Sequence, residues 1–353
     1  MSPHPPPRPP QTTLTSISDG PLGRGSTTNK TSQVRRASRA PSCSTKPSGT
    51  DADLRLASVS ETVQDRWATW VLERGHGADP KQRQAKLEFL SPVSARVLDN
   101  AQLALGDVML DVGAGDGLIA FGALDRLGPN GRVIFGDISQ DLVDHGQHVA
   151  EELGVRERCS FVRTSADDLG AINDSSVDAV TTRSVLIYLP LLRKQSAFRA
   201  FHRVLKPGGR FSLFEPVNRF AHPEPDDIFL GFDVTPVVEL ARKVKGIYRG
   251  EDDLDATLVD FDERDLVRFA EDAGFTSIHL HYEAEISPGT SFTSWDAFLD
   301  SAGNPLIPTQ REAIERALTP EEAERFEAHL RPLVERGEAT NRFASAYLFG
   351  RKD

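Results

Sequence analysis

The sequence predicts an α/β fold built on a doubly wound, mostly parallel sheet. Three observations carry that expectation. Short apolar runs near 107–112, 131–136, 158–164, 177–182 and 209–215 alternate with helical stretches, which is the pattern of a parallel sheet covered by crossover helices. The first run, Val108–Val112, contains Asp111 and leads into Gly113-Ala114-Gly115-Asp116-Gly117, after which an apolar helical pattern resumes. The second run, RVIFGDI at 132–138, ends on Asp137, 26 residues after Asp111. A strand, a glycine-rich turn and a helix N-terminus in succession build the nucleotide crevice at the carboxyl edge of open α/β sheets.

Taken in order, residues 1–55 form a Pro-, Ser- and Arg-rich tail with almost no periodic apolar pattern, expected to be disordered. Its acid-poor start also resembles an organelle transit peptide, but Pro5–Pro7 breaks the amphipathic helix that such a peptide needs. A helical N-terminal cap is expected over 56–104. Val59, Val63, Trp67, Trp70 and Val71 lie at helical spacing, and a second helical stretch at 82–104 is interrupted at Pro92. The core spans 105–217. Within it Ser139 caps the helix after Asp137, Gly154 stops that helix, and Leu191, Phe198, Phe201 and Leu205 share one stripe of another. The remainder, 218–353, adds to the same domain. Asp262 caps a helix carrying Leu266, Phe269 and Ala273 that stops at Gly274. Residues 277–286 then alternate as a strand, with Ile278, Leu280, Tyr282, Ala284 and Ile286 on one face, and 342–350 form a last strand. Segments 218–258 and 287–338 are insertions near the carboxyl edge of the sheet; in the second, Thr319, Pro320 and Glu322 start a helix whose stripe is Ala323, Phe326, Leu330 and Leu333.

Composition narrows the function. The chain has 353 residues, 39% of them hydrophobic, and no apolar run reaches the ~18 residues of a membrane span. Two cysteines, Cys43 and Cys159, make neither a disulfide framework nor a zinc site, and a cytoplasmic protein is expected. The net charge is −11, with about +6 in the first 50 residues and about −17 in the rest. A folded part that acidic disfavours nucleic acid, whose phosphates require a basic face. A small-molecule partner is expected; oligomeric state is left open.

The glycine spacing departs from the dinucleotide fingerprint G-x-G-x-x-G: Gly117 falls one position early and Leu118 occupies the required place. A carboxylate at Asp111 repels a pyrophosphate and suits an amine or a sulfonium. Asp111 followed by Gly113-x-Gly115-x-Gly117 resembles motif I of the class I S-adenosylmethionine (SAM) methyltransferases. FVRTSADDLG at 161–170 and the Lys206-Pro207-Gly208-Gly209 turn of RVLKPGGRFSLFEP at 203–216 extend the resemblance over roughly 105–217. It implies a Rossmann-like methyltransferase fold of seven strands, the last antiparallel, and SAM as cofactor. It also implies a cofactor site of Asp111, Gly113, Ala114, Gly115 and Gly117, Asp137 on the ribose, Ile138 beside the adenine, and Ala166, Asp167 and Arg183. Ser165 stands where the family often has an acid. The core is similar to the small-molecule and quinone-biosynthesis group.

Methyl transfer from a sulfonium needs alignment and a dry pocket more than side-chain chemistry. The catalytic candidates are His222, as a general base, and Glu215, both just beyond the fifth strand. Arg183, Ser184, Tyr188, Asn218, Arg219 and Glu224 are further acceptor-side residues. No metal site is expected: His145 and His148 share a helix face without a third ligand nearby. Trp67 and Trp70 fit core packing or a cover over the cofactor, and Phe292 and Trp295 fit an acceptor surface or an anchor for the insertion. The absence of Asn-Pro-Pro-aromatic after the fourth strand argues against base-N6 or glutamine methylation, and the cysteine count against arsenite methylation. Two other readings stand beside methyl transfer: a non-catalytic SAM- or nucleotide-binding module with a protein-partner surface, and an NAD(P) oxidoreductase, which the glycine spacing disfavours.

Overall fold

The structure is a computed structural model that describes residues 67–72, 80–248, 254–290, 292 and 294–353. The expected tail, the start of the first cap helix and residues 73–79 lie outside the described residues.

Seven strands form one sheet. β1 (Val108–Val112), β2 (Arg132–Asp137), β3 (Cys159–Arg163), β4 (Val177–Arg183) and β5 (Leu205–Pro216) are parallel. β6 (Ile228–Phe229) and β7 (Phe232–Asp233) make a separate small hairpin. β8 (Thr276–Pro288) and β9 (Thr340–Arg351) complete the large sheet in the order β3-β2-β1-β4-β5-β9-β8, with β9 antiparallel to both neighbours. The chain leaves β1 toward β2 and β3, then returns past it to β4. This reversal opens a crevice at the carboxyl ends of β1 and β4.

Strand register assigns the two faces. Met109, Val133, Ala179 and Phe214 project to one side, under α1 (Pro80–Asn100) and α2 (Leu118–Leu127). Leu110, Val180, Phe211 and Leu213 project to the other, packed with α4 (Leu191–Val204) and α7 (Glu263–Asp272). α3 (Gln140–Glu152) begins at Ser139, whose hydroxyl accepts from Leu142 N, and Gly154 follows its end at φ +66°.

Pro92 does not interrupt α1. Proline removes one intrahelical bond and costs about 3 kcal/mol, but it faces solvent while Val93, Val97 and Leu98 are buried on the sheet, and that burial decides the path. The alternation at 277–286 also has a different outcome from a half-buried strand. Ile278 and Leu280 are partly buried, whereas Tyr282, Ala284 and Ile286 are exposed. β8 is the sheet's edge, and its outer half runs beyond the helices that cover the inner half.

The two insertions converge. α5 (Val238–Tyr248), α8 (Trp295–Leu299), α9 (Gln310–Ala317) and α10 (Pro320–Arg336) share one apolar cluster with the β6–β7 hairpin; α6 (Leu254–Leu258) precedes α7. Phe298 is its hub: Trp295 stacks on it at 5.0 Å and Phe292 meets it edge-on at 5.1 Å. Both aromatics therefore anchor the insertion. Leu230 and Gly231 turn the hairpin at φ +50° and +83°. Glu224 accepts from both their amides, at 3.0 and 2.9 Å, which compensates for a leucine held in the left-handed region.

Candidate cofactor and acceptor site

The turn after β1 is set by its glycines, at φ +68°, +55° and +83° for Gly113, Gly115 and Gly117. Such angles are open to glycine at little cost. Their surroundings differ. A Cβ on Gly113 would lie 2.2 Å from Val185 Cγ2, and one on Gly117 2.5 Å from the Phe121 ring. A Cβ on Gly115 would meet nothing nearer than 3.9 Å. Gly113 and Gly117 are thus required by neighbouring protein, whereas Gly115 borders open space. The amides of Gly113 and Ala114 donate to Gly136 O at 2.7 and 3.1 Å, hooking the turn onto β2.

Asp137 joins the two strand ends. Its Oδ2 accepts from Gly115 N and its Oδ1 from Ser139 N, both at 3.0 Å. Burial pushes its carboxyl above the usual range, opposed by the amides of Ser139, Gly115 and Ile138. Ile138 is 43% exposed, an apolar surface beside this acid. It borders an open cleft of about 360 Å³ lined also by Arg163, Thr164, Ser165, Asp168, Gly170 and Ala171. Ala166 is buried. The Asp167 carboxylate is engaged elsewhere: Arg193 donates to it at 2.5 and 2.9 Å, and Ser165 Oγ donates to it. Burial pushes Asp167 up, but the Arg193 and Ser165 bonds outweigh it and hold the carboxyl below its ordinary value.

Asp111 is 2% exposed and accepts from Thr181 Oγ1 at 2.8 Å, across the β1–β4 pair. Burial pushes its pKa up to about 7, against the pull of the Thr181 bond and of Arg183. A buried carboxylate so incompletely compensated is the group that a cationic ligand would satisfy. Arg183, half-buried at the end of β4, acts electrostatically on both Asp111 and Tyr188.

The loop after β4 closes the other side of the crevice. Ser184 sits at φ +55° with its amide on Phe214 O. Val185 lies against Gly113, and Tyr188 meets Trp67 edge-on at 4.7 Å. Trp67 belongs to the helical residues 67–72, and Val71 lies 3.9 Å from the Gly115 Cβ position. The first cap segment therefore lies over the turn. Glu215, 0% exposed at the end of β5, accepts from Val185 N and Leu186 N at 2.9 Å and from Ile187 N at 3.2 Å. Burial lifts its pKa to about 7, even with those three amides bound. His222 is exposed on the loop after β5. The structure thus gathers Asp111, the glycines, Asp137, Ile138, Arg183 and Glu215 around one crevice, with Glu215 facing the loop backbone and His222 facing solvent.

Sequence reasoning passed over Lys194, Thr181 and Val185. Lys194 had a legible signal: it stands three residues after Leu191, four before Phe198 and seven before Phe201, on the stripe that faces the core. Nothing in the spacing marks Thr181 or Val185, whose roles come from cross-strand register and loop packing.

These features define a class, a nucleotide-binding doubly wound domain with acids flanking its glycine turn. A family model for a methyltransferase domain matches residues 109–209. Together with the relatives below, this match supports a class I SAM-dependent methyltransferase domain over that stretch. Over 216 residues it is 30% identical to an arsenite methyltransferase of Halobacterium salinarum, covering 60% of this chain and 48% of that protein. It is 34% identical over 131 residues to nocamycin O-methyltransferase of Saccharothrix syringae, covering 37% of this chain and 45% of that one. Over 138 residues it is 36% identical to a ubiquinone/menaquinone biosynthesis C-methyltransferase of Nitrobacter hamburgensis, covering 39% of this chain and 53% of that one. The chain thus spans about half the length of each of these relatives. Among solved structures, geranyl diphosphate C-methyltransferase from Streptomyces coelicolor aligns with a TM-score of 0.47 at 17% identity, over 83% of this chain and 98% of that one. Among the described residues no helix is long and apolar enough to cross a membrane.

Asp137 gives a direct test of the ribose assignment. A carboxylate accepting hydroxyl bonds contributes about 1.5–3 kcal/mol, so Asp137→Ala is expected to weaken SAM roughly ten- to a hundredfold, read by calorimetry. An effect below about threefold places the ribose elsewhere.

Proposed function

We propose that the chain transfers the methyl group of SAM to a small organic acceptor by in-line displacement. The observation that carries this reading is the buried, under-compensated Asp111 beside an open glycine turn. That pair suits a cationic nucleoside better than a dinucleotide. Bound there, SAM supplies an electrophilic methyl group. The chain's own residues hold and screen: Asp137 and the Gly115 amide border the ribose position, Ile138 gives the adenine an apolar wall, and the Trp67–Tyr188 pair excludes water from above.

Phe229, Phe232, Trp295, Phe298 and Phe326 of the insertions are buried in the insertions' own core, so acceptor recognition falls to the loops after β4 and β5. Of the two catalytic candidates, the enclosed Glu215 acts through the loop it holds, and His222 is the one with access to solvent and substrate. The relatives' acceptors stay with those proteins; Cys43 and Cys159 are the only cysteines here, and Cys159 is buried, which does not suit arsenite.

Formation of S-adenosylhomocysteine from labelled SAM in a metabolite extract tests the activity, and calorimetry with SAM against NADH separates it from an oxidoreductase. SAM binding without any product would favour the non-catalytic module. With an active fraction in hand, His222→Ala is expected to lower turnover roughly a hundredfold, the usual scale of general-base loss, with SAM affinity unchanged. Wild-type turnover in that variant removes His222 from the mechanism and leaves proximity to act on an already nucleophilic acceptor.

A further inference from the structure

We propose that Lys194 is a positioning residue for the SAM site: its buried ammonium fixes the loop 184–189 to the segment 257–260 and so holds Val185 on the glycine turn. This rests on the SAM reading above and deepens it.

Lys194 lies on α4 and is 0% exposed. Its three N–H donors are all used, on Leu189 O, on Thr257 O at 3.0 Å and on Asp260 Oδ1 at 2.6 Å, which exhausts what an ammonium can donate. The ring of Phe261 lies 4.9 Å from its nitrogen. These acceptors come from separate parts of the chain, the end of the post-β4 loop and the stretch from the end of α6 to Asp260 that precedes α7. The same loop is held at its other end by Glu215, through the amides of Val185, Leu186 and Ile187. A carboxylate on the free amides and a cation on a free carbonyl complement the dipole of the single turn between them, Leu186–Tyr188. The loop is clamped at both ends by buried charges.

The clamp reaches the cofactor turn through Val185. Its Cγ2 occupies the space beside Gly113 so tightly that a Cβ there would lie 2.2 Å away. A loop displaced from this place removes one wall of the turn. Buried charge pairs are a weak source of stability, and an apolar replacement of similar volume is often tolerated. The Asp260 side chain is 22% exposed and can turn to water when its partner goes. Such a charge is retained for geometry rather than for stability, and the two are separable by experiment.

SAM titrations of the full chain by calorimetry, paired with thermal melts, supply the test. Lys194→Met is expected to melt cooperatively and bind SAM at least roughly tenfold more weakly, the scale of a small misplacement at a site. Leu348→Ala, a core truncation in β9 at 0% exposure that makes none of the clamp's hydrogen bonds, serves as a destabilised comparator, and is expected to stay within about twofold of wild type in affinity. Lys194→Arg, which restores a cation, is expected to recover part of the affinity even where its larger head lowers the melting temperature. Wild-type affinity in Lys194→Met overturns the proposal. So does a loss that merely tracks stability across Lys194→Met, Leu348→Ala and Lys194→Arg. Should Lys194→Met fail to fold, Asp260→Ala removes the anionic partner and its accepting oxygen while leaving both carbonyls, and unchanged affinity there overturns the proposal equally. A wild-type chain that binds no SAM fails at an earlier step and sinks the SAM reading itself.

Discussion

A valine at position 115 is expected to abolish SAM binding while the domain still melts cooperatively. Of the three glycines in the turn, only Gly115 has open space where its side chain would go, with nothing nearer than 3.9 Å. The branched side chain would fill that space, where a ligand approaches the backbone. The strain of φ +55° costs about 1–3 kcal/mol for a non-glycine residue, which a domain with three buried apolar clusters tolerates. Gly113→Val and Gly117→Val are poorer tests, because their Cβ atoms would strike Val185 and Phe121 and the fold itself would shift. Calorimetry with SAM alongside a thermal melt reads the outcome. A Kd within threefold of wild type in a folded Gly115→Val chain would place the cofactor away from this turn.

Asp111→Asn is expected to stabilise the chain at pH 8 and to weaken SAM roughly ten- to a hundredfold, the scale of a lost charged bond. The carboxyl rises from 3.8 to about 7, which corresponds to about 4 kcal/mol of penalty on the ionised form. The sign follows from proton counting. Between about 4 and 7 the folded chain holds a proton on Asp111 that the unfolded chain has released, so stability falls as pH rises through that window and the full penalty stands above it. Glu215, raised to about 7 by burial, adds to the same slope. Asparagine removes the Asp111 share and keeps an oxygen for Thr181. A cationic ligand needs the carboxylate, so wild-type SAM affinity is expected to drop as pH falls below about 7, with a flatter profile in the variant. Parallel pH profiles for the two proteins would show that Asp111 does not meet the cation. The opposition of stability and binding at one residue is the trade-off expected of a site residue.

The motifs that could be read from residue order are those in which neighbours in sequence act together. Asp111 with its three glycines, Ser139 capping α3, the Asp262 cap and the Thr319-Pro320-Glu322 start all use groups within a few positions of one another, and each has its counterpart in the structure. The five parallel strands were legible for the same reason, since apolar runs bounded by turn residues report burial locally. The expected interruption at Pro92 was a local rule overridden by burial of the following turn. The apolar alternation at 282–286 was a true strand signal that carried no information on what covers it.

What residues in order determined is therefore the α/β class, the crevice-forming turn and the acids that flank it, because φ preference, capping and strand period are properties of short segments. What only the tertiary structure decided is how those acids are used. Register put Thr181 on Asp111; the return of β5 brought Glu215 under three amides of a loop some 30 positions earlier in the chain; and α4 carried Lys194 to a carboxylate 66 positions later. Those pairings join groups distant in sequence, and their energetics come from burial, which no short segment possesses until the sheet has closed around it.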